Sequence, residues 1–111
     1  MIVAVADVFA QIPQLEAVRE VMLRTERRVR ENPSCVSFVF AEVVAEPGHF
    51  LLVEQWRSRA ALDAHYQSDA FADYQAAIRG LVVRDSEIQV YVSEEQFRPV
   101  YSSPLDIAQD D

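Results

Sequence analysis

Three segments of this chain are apolar on both parities, and that double-sidedness limits the architectures open to it more than any other feature. Ile2–Phe9 sets Ile2, Ala4, Ala6 and Val8 against Val3, Val5 and Phe9. In 35–45, Phe38 and Phe40 stand against Val39 and Val43, and in 50–56 Phe50 and Leu52 stand against Leu51 and Val53. Successive strand residues point to opposite faces, so each of these strands needs cover on both sides.

The remaining elements decide what cover is available. Leu15, Val18, Met22 and Val29 form one stripe at helical spacing, predicting a helix over 14–31 that "ENPS" ends at Pro33. "EPGH" places Pro47 and Gly48 in a turn that joins the second and third strands as a hairpin. Ser58 is an N-cap for a short helix over 59–67, and Ser68 for another over 70–79 that stops at Gly80. "DSEIQVYV" alternates as a half-buried strand. The order β-α-β-β-α-β predicts an α+β, ferredoxin-like sandwich with a four-stranded antiparallel sheet and its helices on one face. Helices on one face leave the other apolar and wet, a patch larger than monomers usually carry. A second copy, packed sheet to sheet about a two-fold axis, is the expected cover. The domain is expected to span 1–92. The tail 93–111 holds five acids and one arginine, with Phe97, Val100, Tyr101, Leu105 and Ile107 in no regular period. It either reaches across to the partner subunit or frays.

Charge removes several functions. A net charge of −8 is unsuited to nucleic acid, whose phosphates call for a basic surface. All ten basic residues are arginine, so a Schiff-base lysine and a P-loop are both excluded. Arg24, Arg27, Arg28 and Arg30 cluster, but Glu20–Arg24 and Glu26–Arg30 have the i,i+4 spacing of a solvated helix face. Two glycines cannot make a dinucleotide loop. The single cysteine, Cys35, excludes an internal disulfide and a cysteine metal cluster. No apolar run reaches the ~20 residues of a membrane helix. The start lacks a basic region and carries Asp7, so no signal peptide and a cytoplasmic location are expected.

One stretch concentrates chemistry. "VEQWRSRAALDAHYQSDAFADY" holds Glu54, the only tryptophan, Trp56, and one of two histidines, His65. The pattern Glu-x-Trp at 54–56, Ser-x-x-Ala-Leu-x-x-His at 58–65, then Ser68 and Phe71 resembles the antibiotic biosynthesis monooxygenase domain family, which includes quinol and anthrone monooxygenases. "ENPSCVSF" looks like that family's entry to its second strand, with Ser34 where glycine is usual. The resemblance implies a dimeric α+β barrel and a pocket between helices and sheet. It further implies O₂ chemistry on a phenol, quinol or anthrone without metal, flavin or other cofactor. Relatives that degrade haem carry asparagine, tryptophan and histidine where this chain looks to have Asp7, His65 and Gln75, so haem is not an expected ligand.

Under that reading His65, on the inward stripe with Ala61 and Leu62, is the candidate base, because an imidazole titrates near ~6.5. Its plain alternative is a hydrogen-bonded core histidine. Asp7 would assist it if the face of Val3 and Val5 looks at the helices. Glu54 and Tyr74 are candidate contacts to the substrate, and Trp56, Leu62 and Phe71 candidate walls. Glu54 shares its parity with apolar neighbours and therefore needs a buried partner. His49 is expected in the turn, exposed, and no spaced ligand cluster suggests a metal. Two other classes stay open on the residues alone: an isomerase on a small polar metabolite, and a dimeric binding protein with no turnover.

Overall fold

In the computed structural model, which describes residues 1–107, the chain runs β1 (Ile2–Phe9), a 3-10 turn (Ile12–Gln14), α1 (Leu15–Val29), β2 (Cys35–Glu42), β3 (His49–Trp56), α2 (Arg59–Tyr66), α3 (Asp69–Ile78), β4 (Ile88–Val92) and α4 (Pro104–Ile107). The strands form one antiparallel sheet in the order β2-β3-β1-β4. This is the ferredoxin-like arrangement expected above. The predicted tail falls partly on 108–111, which lie outside the described residues.

Parity settles which face the helices cover. Ile2, Ala4, Ala6 and Val8 are buried, as are Phe50, Leu52, Glu54 and Trp56 on β3 and Phe38 on β2. Across the sheet Phe38, Glu54, Ala4 and Val90 stand in register, and Phe40, Leu52, Ala6 and Ile88 form the next row. α1 packs on this inner face through Val18, Val21, Met22, Thr25 and Val29. The buried Thr25 hydroxyl donates to Val21 O (2.7 Å), so its polarity is satisfied within the helix. Trp56 and Phe38 have lost almost all their exposure, and each such side chain stabilises the fold by roughly 1.5–3 kcal/mol. The outer face carries Val39, Val53 and Val5 in one row, none of them buried.

Three local expectations are corrected. β2 stops at Glu42, short of residue 45, because the Glu42 carboxylate takes Arg19 (2.8 Å) and the Gly48 amide (3.2 Å) and opens the turn early. Glu26 pairs with Arg30 (3.0 Å), but Glu20–Arg24 does not close among the described residues; Arg28 instead pairs with Asp73, joining α1 to α3. β4 is exposed along its whole length rather than half-buried. It is an edge strand, and beneath Ile88 lies a hollow instead of a helix.

Candidate functional site

That hollow is a half-open cavity of about 720 Å³ between the inner sheet face, α3 and the segment 79–86. Ala6 is too small to fill the space between β3 and β4, and Val8 and Leu52 continue its apolar floor. α3 supplies Phe71 and Tyr74 as a wall. Two serines set this wall. Ser58 Oγ accepts the Ala61 amide (3.1 Å) to start α2, and Ser68 Oγ accepts the Phe71 amide (3.2 Å) to start α3. The Ser68 hydroxyl also donates to His65 O (2.5 Å), fixing the joint between the two helices.

Glu54 is the carboxylate on the sheet floor of the cavity, with Asp85 lining the loop side, although only 1% of the Glu54 surface is solvent-accessible. Its Oε1 accepts the Trp56 indole N–H (3.0 Å), two residues along the strand and so on the same face. His65 Nε2 stands 3.6 Å from the same oxygen, just beyond hydrogen-bond length. Burial pushes the Glu54 carboxyl up to about 7, against a smaller downward pull from Trp56. Burial also drives the His65 imidazole down to about 4. Both groups therefore favour their neutral forms, as two ionisable groups sharing a dry site do.

His65 is not on the cavity. It is enclosed by the rings of Trp56 (4.8 Å), Phe71 (5.4 Å), Tyr66 (5.5 Å) and Phe38 (5.6 Å) and stands behind Glu54. Trp56 and Leu62, expected as walls, are packed in the core cluster instead. The expected partnership of Asp7 with His65 is also corrected. Asp7 pairs with Leu51 across the sheet, on the outer face, and meets His49 Nε2 (2.6 Å). His49 is not a free turn residue: it also meets Glu46 (3.1 Å) and stacks on Phe9 (4.3 Å). The Asp7 contact holds the His49 pKa above its usual value. Among the described residues no group of side chains suits a metal ion, and no helix is long and apolar enough to cross a membrane.

Tyr74 leans on Phe40 (5.7 Å), and burial, with the charge of Glu54, raises its hydroxyl to about 12. It stays a hydrogen-bond donor at any ordinary pH. The charged residues that sequence reasoning missed are Arg79, Arg84 and Asp85, all lining the cavity. They flank an irregular segment, where no periodicity marks a direction.

The arrangement offers an apolar hollow, a carboxylate poised to gain or lose a proton near neutrality, and a phenolic donor beside it. Comparison with known proteins agrees on the frame. The family profile described as antibiotic biosynthesis monooxygenase matches residues 1–77. A Synechocystis protein of unassigned activity, sll1783, is 38% identical over 68 residues, 60% of this chain. The chain spans less than half, 46%, of that curated relative. A Deinococcus radiodurans structure classed with the antibiotic biosynthesis monooxygenases superposes with a TM-score of 0.84 at 22% identity, covering 91% of this chain and 100% of that one. Rv0793 of Mycobacterium tuberculosis superposes with a TM-score of 0.78 at 24% identity, covering 86% and 96%. At such identities the superpositions establish the fold.

Proposed function

Because the chain belongs to the antibiotic biosynthesis monooxygenase family, we propose that it is a cofactor-independent monooxygenase oxidising a phenol, quinol or anthrone with O₂, in which Glu54 rather than His65 takes the first proton. The observation that carries this reading is the position of Glu54: an ionisable group at the cavity floor with its pKa moved to about 7. A general base works best when it titrates near the operating pH. Proton transfer from a phenol of pKa ~10 to such a base is uphill by roughly 3 units, about 4 kcal/mol, a small part of an enzymatic barrier. Donation from Tyr74 to the new oxyanion lowers that figure further.

The anion then passes one electron to O₂. The substrate radical and superoxide combine at carbon to give a hydroperoxide, and loss of water leaves a carbonyl. One oxygen atom ends on the substrate and the other in water, with the substrate itself supplying the electrons. In this scheme His65 is a positioning residue. Its neutral ring packs Glu54 toward the cavity and keeps water from its far side.

Oxygen uptake with a panel of hydroquinones and anthrones tests the reading. Glu54→Gln keeps the acceptor for Trp56 but removes the base, and kcat/KM is expected to fall by ~10²-fold or more. In the wild type kcat/KM should rise with pH and level off above about 7, since the ionised carboxylate is the active form. His65→Gln should move that midpoint and keep measurable turnover. A loss as deep as in Glu54→Gln would return the role of base to His65, and absence of uptake across the panel would end the monooxygenase reading.

A two-fold dimer through the outer sheet face belongs to the same proposal. Val39, Val53 and Val5 form an unburied apolar row there, which a second copy would cover.

A further inference from the structure

One cluster of ionisable groups lies apart from the cavity, on the outer face of the sheet at its turn end. His49 opens β3 directly opposite Phe9 of β1. Its Nε2 stands 2.6 Å from Asp7 Oδ1 and its Nδ1 3.1 Å from Glu46 Oε2. The ring stacks on Phe9 at 4.3 Å and 11°, which fixes its plane and with it the direction of both nitrogens. Asp7 belongs to β1 and Glu46 to the 43–48 turn, so a single imidazole joins two elements.

Two carboxylates on one ring define its protonation. An ionised carboxylate only accepts hydrogen bonds, and a neutral imidazole has a single N–H to donate. Both contacts are hydrogen bonds at once only when the ring is the imidazolium. Asp7 and then Glu46 hold that form past the usual pKa, against a downward pull from burial. The other charged group at this stack is Arg84, whose guanidinium carbon lies 3.9 Å from the Phe9 centroid. Glu42 accepts the Gly48 amide (3.2 Å) and pairs with Arg19. Its pKa is held below the carboxylate range, so it stays ionised while His49 titrates. The turn meets β1 again at Ala10, whose amide donates to Gly48 O (2.8 Å). Ala10 in turn bridges to Val82, one of the residues lining the cavity.

We infer that His49 is a proton-operated clasp: as imidazolium it fastens the 43–48 turn to β1 by holding Glu46 and Asp7 together, and on losing its Nδ1 proton it releases the turn. The proton that remains sits on Nε2, because the Asp7 bond is the shorter and its acceptor is fixed in a strand. Glu46 then faces a bare nitrogen lone pair and gains nothing by staying. The folded pKa lies above the unfolded one, so the clasp contributes fully below ~6.5 and is lost as pH rises through the raised value. The inference is independent of the reaction proposed above.

Two NMR measurements on the full chain, from about pH 5.5 to about 9, test it across the imidazole range. Ring ¹⁵N shifts should show both His49 nitrogens protonated at the acid end and Nε2 alone protonated at the alkaline end. Amide exchange, corrected for base catalysis, reads the turn. Protection of the Glu46, His49 and Ala10 amides should fall roughly 2–5-fold through the His49 transition, the range of an exposed ion pair. The Ser93 amide, bonded to Met1 O at the other end of the sheet, should not follow. In Glu46→Gln the side-chain amide accepts from the imidazolium and donates to the neutral ring, so the step in protection should vanish. Glu46→Ala should show the low protection at every pH. Glu54 and His65 are unchanged in both variants, so effects of their titration appear equally in each. A neutral ring at the acid end, a final proton on Nδ1, protection that is level across the transition, or a step that survives in Glu46→Gln would each overturn the inference.

Discussion

Glu54 and His65 make opposite demands on pH, and their sum shapes the stability of the protein. Glu54 has its pKa raised from 4.5 to about 7 on folding, so the native state holds more protons than the unfolded chain between those values. Stability therefore falls as pH rises through that window. His65 has its pKa lowered from 6.5 to about 4, so there the unfolded chain holds more protons and stability falls as pH drops. From pH 4.5 to 6.5 the two slopes oppose and cancel, leaving a plateau. Below it, protonation of Glu42, whose carboxylate is held below its usual pKa by Arg19 and Gly48, adds to the acid loss. Above it, deprotonation of His49 adds to the alkaline loss. Urea unfolding across pH should show that plateau with a decline on each side, and Glu54→Gln should flatten the alkaline limb. An alkaline limb unchanged in the variant would show that Glu54 does not titrate near 7.

At the scale of elements, the cavity wall hangs on two short helices with little packing of their own. α2 has eight residues and α3 ten, and α3 buries none of them fully. Isolated helices of that length are marginal, so their caps carry unusual weight. Ser58→Ala and Ser68→Ala should each destabilise by about 1 kcal/mol in equilibrium unfolding. Ser68→Ala should also weaken ligand binding, since that hydroxyl both caps α3 and bonds the backbone of His65. If the loss with Ser68→Ala were confined to global stability and binding were unaffected, the joint would not be positioning the wall. The β2–β3 hairpin depends similarly on Gly48, which takes φ 85°. A Cβ there would also lie 2.8 Å from Ile12 Cδ1, a contact the exposed Ile12 side chain can relieve, so it is the positive φ that keeps the turn to glycine.

For the molecule as a whole, the sheet is the organising surface. The inner face is sealed by α1 and α2 over β2 and β3 and left hollow toward β4. The outer face keeps the valine row, and beyond β4 the tail exposes Phe97, Val100, Tyr101 and Leu105. Sedimentation at micromolar concentration should find a dimer. Val53→Asp, at the centre of the outer row and away from the helices, should convert it to a folded monomer, because an unpaired carboxylate in a dry interface is strongly disfavoured. A wild-type monomer, or a Val53→Asp dimer, would place the contact elsewhere.

Periodicity and punctuation were enough to predict the element order from β1 to β4, though not the short α4 in the tail, together with both serine caps, the hairpin at Gly48 and the two-sided sheet, because these are local consequences of side-chain direction and backbone preference. The pairing of Glu54 with Trp56 on one face followed from parity alone. Parity cannot say which face looks inward, since that depends on where the helices land. For this reason Asp7 was expected beside His65 and lies on the opposite side of the sheet. Nor can a helical stripe distinguish a residue that reaches the hollow from one buried behind it: Phe71 and Tyr74 line the cavity, while Leu62 and His65 pack away from it. Arg79 and Arg84 had no pattern to betray them, because their place at the cavity comes from hydrogen bonds between distant segments, Val83 to Phe9 and Leu81 to Gln11. Local sequence thus specified the elements and their faces. The position of the void, and hence which carboxylate meets it, followed from long-range packing, where small residues on β1 and the absence of a helix over the edge strand leave space that no neighbouring residue fills.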